Sequence, residues 1–91
     1  MIVGGKHILT AAGARLNSTR QPCRVITFRL ASGADDCTFG DSGLASGEDE
    51  FGFLQADESW TFGPDAGTID PYDLYMKGTA GNVVTWVGLT I

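Results

Sequence analysis

The chain is short of what helices and membrane spans require. No segment of its 91 residues sustains apolar positions at i, i+3, i+4 and i+7 for three turns, so a helical fold is not expected. No apolar run approaches the roughly 18 residues of a transmembrane helix. Met1–Leu9 holds one lysine and no long apolar stretch, so it does not read as a signal peptide. Histidine occurs once, as His7, and there is no Cys-x-x-Cys pair, which leaves no zinc site. No metal and no cofactor are expected. Length is limiting too, because single domains commonly run about 100–150 residues. One thin core fits here; a large enzyme with a deep cleft does not.

What is present reads as β structure. Apolar residues make up 43% and charged residues 19%, a globular balance, and the 13 glycines are about twice average usage. In Arg24–Leu30, Ile26, Phe28 and Leu30 alternate with Val25, Thr27 and Arg29, the period of a half-buried strand. Shorter candidates are 7–11, 37–39, 51–55, 60–62 and 74–77. In 83–91, Val83, Thr85, Val87, Leu89 and Ile91 share one face, and Val84, Trp86, Gly88 and Thr90 the other. The loop 78–82, with two glycines, predicts a hairpin between the last two strands. The expectation is all-β: a compact antiparallel β-sandwich, or jelly-roll-like small barrel, of about seven or eight short strands. It spans 1–91 as one domain, with 1–6 a flexible N-terminal arm and 17–22 the longest exposed loop. Both faces of the last strand are apolar. One serves the core, and Val84 and Trp86 on the other are candidates for a subunit interface.

Cys23 and Cys37 number two, which permits a disulfide. The turn 32–35 reads as a hairpin pairing residues whose numbers sum to 67. That places the cysteines about seven residues apart along the ladder, roughly 23 Å at 3.3 Å per residue. Free thiols and a reducing compartment are therefore expected.

Charge is segregated. Residues 1–30 carry Lys6, Arg15, Arg20, Arg24 and Arg29 and no acid, a sum of +5. Residues 31–91 carry all 11 acids and Lys77, a sum of −10, which gives the net −5. The acidic part would repel phosphate, so nucleic acid is not an expected partner, and neither is a membrane. The basic segment suits a negative protein surface.

Three motifs are weaker than they look. Ile2-Val3-Gly4-Gly5, Leu9-Thr10-Ala11-Ala12 and Gly40-Asp41-Ser42-Gly43 are similar to segments of trypsin-like serine proteases. Gly13 stands where that family has its catalytic histidine, and His7 comes too early. No catalytic residue is assigned. A loose Ca²⁺ site among Asp35, Asp36, Glu48, Asp49 and Glu50 lacks the spacing of an EF-hand and reads as a solvated acidic loop. Trp60, Trp86, Tyr72 and Tyr75 could form a sugar platform, but strand aromatics in a small sandwich more often serve core or interface.

Pro22–Arg29 resembles the first core strand of small virion proteins of tailed bacteriophages, which open an alternating strand with a Pro-Cys-Arg-like start. Leu54–Phe62 is similar to their segment of leucine, turn, Glu-Ser and strand, and Asp73–Val84 to their closing hairpin. Together these cover 22–91. Cys37-Thr38-Phe39-Gly40 departs from the family's Val-Tyr-Val-Gly strand, and the acidic loop 41–50 is longer than usual. The resemblance implies a non-catalytic β-sandwich built into the virion, assembled in the host cytoplasm. It would be a head decoration or cement protein bound to the major capsid protein, with self-association as a trimer. A neck, tail or fibre component and a carbohydrate-binding module are the alternatives. Arg15, Arg20, Arg24 and Arg29 are the candidate capsid contacts.

Overall fold

A computed structural model describes residues 1–41, 50–63 and 67–91. Among the described residues eight strands form: β1 (Ile2–Ile8), β2 (Ala14–Arg15), β3 (Cys23–Leu30), β4 (Cys37–Gly40), β5 (Glu50–Leu54), β6 (Ser59–Phe62), β7 (Tyr75–Lys77) and β8 (Val83–Thr90). A short 3-10 turn, Pro71–Asp73, precedes β7. Two antiparallel sheets of four strands face each other. Sheet one runs β1-β8-β3-β6 and sheet two runs β2-β7-β4-β5.

The pairing has a simple rule. β1 meets β8, β2 meets β7, β3 meets β6 and β4 meets β5, so partners sum to nine. The chain is one long antiparallel ribbon that doubles back between β4 and β5. Rolling the ribbon adds the pairs β3·β8 and β4·β7 and closes the eight-stranded jelly roll. The sandwich is as expected, but two hairpins are not. β3 and β4 lie in different sheets, and so do β7 and β8. Cys23 and Cys37 are free and buried as expected, but they lie in different sheets rather than far apart along one ladder.

Residues 1–6 are no loose arm. Ile2–Ile8 pairs with β8 through all seven residues. Glycine at 4 and 5 lowers local strand preference, and the distant partner strand overrides it.

The core fills from the inward faces. Ile26, Phe28 and Leu30 of β3 are fully buried, as are Phe39, Met76 and Val84. Phe28 and Phe39 meet edge-on across the two sheets, with ring centroids 5.0 Å apart at 72°. Burying each such side chain contributes about 1.5–3 kcal/mol. Val84 and Trp86 belong to this core, with 0% and 6% of their surface exposed, so the expectation of a subunit interface there is overturned. The register explains it: Trp86 pairs with Phe28 and Val84 with Leu30, both inward on β3. Gly88 completes that inner face, because a Cβ there would stand 2.9 Å from the Cys23 sulfur.

Candidate functional site

The register lays out the outer face of sheet one as a grid. One row is Ile2, Leu89 and Val25. The next is Gly4, Val87, Thr27 and Thr61, and the third is Lys6, Thr85, Arg29 and Ser59. Ile2 is 72% exposed and Val87 48%, and Met1 and Ile91 extend the apolar end. Thr27 and Thr61 hydroxyls share a hydrogen bond of 2.8 Å, which satisfies them without a partner molecule. Thr27, Arg29, Ser59, Thr85 and Val87 line a shallow open depression beside the apolar rows. The surface is therefore apolar at one end and basic-polar at the other.

The four arginines do not converge. Arg24 and Arg29 lie on β3 in sheet one, Arg15 on β2 in sheet two, and Arg20 in the intervening loop. Arg15 stacks 3.9 Å from the Tyr72 ring centre and 5.0 Å from that of Tyr75, and donates to the Tyr72 carbonyl at 2.9 Å. Arg20 covers the same Tyr72 ring at 4.4 Å and pairs with Asp73 at 3.3 Å and Asp70 at 3.7 Å. Arg29 donates to Asp57 at 2.8 Å. Arg24 is exposed and, among the described residues, has no hydrogen bond or ion pair. It is the extra residue of a β-bulge: Cys23 and Val25 face consecutive β8 residues, Thr90 and Leu89. Gly63, at φ +101°, sits against that bulge, where a Cβ would collide with the Arg24 carbonyl.

The loop 17–22 is exposed but anchored. Buried Asp70 accepts from the Gln21 amide at 3.0 Å and from the Tyr72 amide at 2.9 Å, capping the 3-10 turn while holding the loop.

Thiol chemistry is disfavoured. Burial pushes the Cys37 thiol up to about 11, and burial with the Asp70 carboxylate nearby raises Cys23. His7 is half-buried on β1. Its Nε2 has no hydrogen-bond partner, and burial holds it below its ordinary value. Among the described residues no group of three or more His, Cys, Asp or Glu is placed to hold a metal. Glu48 and Asp49 of the acidic loop lie outside the described residues.

Of the aromatics singled out in the sequence, Trp86 is core, and Tyr72 and Tyr75 lie under arginines. Trp60 is 42% exposed, packed on Phe39 with centroids 5.1 Å apart. They form no common platform. The sequence reading missed the outer apolar rows. Their signal in the sequence is the shared face of Val83, Thr85, Val87 and Leu89, opposite the Val84 and Trp86 face from which a subunit interface is expected. No protein-family model matches this chain, and neither does any curated protein or solved structure.

Proposed function

We propose that the protein is a non-catalytic virion structural protein of a tailed bacteriophage, a head decoration protein that docks on the major capsid protein and stiffens the shell. The observation that carries the reading is the outer face of sheet one. Ile2 and Val87 are exposed there, and half-buried Val25 and Leu89 adjoin them in the register, a contiguous apolar patch of the kind that marks an interaction site. The family resemblance of residues 22–91 supplies the identity of the partner. Copies repeated over a shell add avidity, so a modest single contact suffices.

Docking on this face is chiefly apolar. Three of the four arginines already have partners within the chain, and Arg24 and Lys6 are the cations left at the rim. Binding to capsids should therefore depend only weakly on salt, and Arg24→Glu should weaken it more than Arg20→Glu.

Capsids assembled with and without the protein test the reading. Those carrying it should melt at higher temperature, and the protein should co-sediment with those lacking it. Equal melting temperatures would sink the cement role. Binding to neck or tail particles alone would move the protein there. Saturable glycan binding in the Thr27–Arg29–Ser59 depression would make it a carbohydrate-binding module.

A further inference from the structure

Sheet one ends in an open strand. β1 pairs with β8, and no described strand occupies its other edge. The direction of its backbone groups is visible at both ends. The Met1 carbonyl accepts from the Thr90 amide at 2.9 Å. The Leu9 amide donates to the Asn82 carbonyl at 2.7 Å, and the Leu9 carbonyl accepts from the Gly81 amide at 3.1 Å. Residues 1 and 9 thus face β8 and the loop before it. Alternation along the strand turns the backbone groups of Val3, Gly5 and His7 the same way, and those of Ile2, Gly4, Lys6 and Ile8 to the free edge. An open row of donors and acceptors is a template for another strand.

We infer that this edge pairs with the same edge of a second copy, antiparallel about a two-fold axis at Gly5. Edge-facing residues must meet edge-facing residues, so partner numbers sum to an even value. A sum of ten gives full overlap of residues 2–8. Ile2 then meets Ile8 of the second copy, Gly4 meets Lys6, and Val3 meets His7. A sum of eight sets Ile2 against Lys6. A sum of twelve sets Lys6 against Lys6, like charges directly opposed. The full-overlap register is the one that puts apolar against apolar and lysine against a residue with no side chain.

Exposure agrees with that register. Ile2 and Ile8 are the exposed large apolar residues of the strand, at 72% and 64%, and each gains the other as a neighbour. The axis crosses at Gly5, a pair without hydrogen bonds, where antiparallel strands come within about 4.5 Å. Glycine leaves that approach clear. The product is an eight-stranded sheet that carries both apolar outer faces on one surface. It is a closed two-fold dimer, not the trimer expected from the family resemblance. The inference does not rest on capsid docking.

Light scattering and amide exchange on the intact chain test it together. At sub-millimolar concentration the mass should be that of two chains. In that dimer the amides of Ile2, Gly4, Lys6 and Ile8 should exchange slowly, and dilution to monomer should free them while Val3, Gly5 and His7 stay protected. Lys6→Pro removes an edge-facing donor and leaves the β8 ladder whole, so it should raise the dissociation constant at least about tenfold. Ile8→Lys should weaken the dimer similarly, and Ile2→Glu with Ile8→Lys should restore it through two crossed ion pairs. A monomer, a trimer, a dimer with those four amides unprotected, or a dimer indifferent to Lys6→Pro and Ile8→Lys would each overturn the inference.

Discussion

The two sheets turn different surfaces outward. Sheet one has strands of seven, eight, eight and four residues, and shows Ile2, Val25, Val87 and Leu89 in adjoining rows. Sheet two has strands of two, three, four and five residues. Its outer register sets Arg15 beside Tyr75, and Thr38 beside both Lys77 and Phe53. Sheet two covers its Arg15 with tyrosine rings and a carbonyl and exposes a single large apolar residue, Phe53, among those described, whereas sheet one exposes Ile2 and Val87 in adjoining rows. Both share one inner core, so stability cannot distinguish them. Their outer faces can. The lesson is that a strand apolar on both faces needs two partners: the opposing sheet on one side and, in the proposed reading, another protein on the other.

The largest expected effect separates inside from outside on one strand. Val84→Asp places a carboxylate at a fully buried position and should unfold the chain, since that cost is comparable to the stability of a small domain. Val87→Asp, three residues on and facing out, should change stability by no more than about 0.5 kcal/mol. Circular dichroism of the two variants decides; equal unfolding would reverse the assignment of faces. Phe28→Ala removes the aromatic contact that joins the sheets and should cost about 3–5 kcal/mol in urea titrations. Asp70→Ala leaves the Gln21 and Tyr72 amides without their acceptor and should cost about 1–3 kcal/mol. A loss near zero would mean that the loop 17–22 is not held by that carboxylate.

A smaller effect concerns pH. The folded chain resists protonating His7, while the unfolded chain takes up that proton near its ordinary value of 6.5. The neutral residue's contribution is intact above that value and is lost as pH falls below it. His7→Gln should therefore lose less stability than the wild type between about pH 7 and about pH 5.5. Parallel stability curves would refute this. Smallest of all, Asp57→Ala breaks an exposed pair with Arg29 and should cost less than about 1 kcal/mol.

Much of the fold was legible in the sequence, and the reasons are local. The alternation of Ile26, Phe28 and Leu30 fixes β3 and its inner face without reference to anything distant. Short apolar runs between Gly- and Asp-rich turns mark β4 to β8. Pairing was not legible, because the rolled ribbon joins strands far apart in sequence and leaves chain neighbours in opposite sheets. β1 was hidden for the same reason: Gly4 and Gly5 weaken its own signal, and β8 supplies the ladder. The face of β8 was ambiguous because Val84 and Val87 look alike in sequence, and a change of one residue in register exchanges the two faces. The arginine cluster dissolved because Tyr72 and Tyr75, remote in sequence, lie beneath Arg15 and Arg20.

The most direct test of docking compares the two outer faces in one binding assay. Wild type, Val87→Asp on sheet one and Thr38→Asp on sheet two would each be co-sedimented with capsids that lack the protein. The account predicts that Val87→Asp weakens binding at least about tenfold while Thr38→Asp binds like the wild type. Unchanged binding by Val87→Asp, or loss confined to Thr38→Asp, would contradict it.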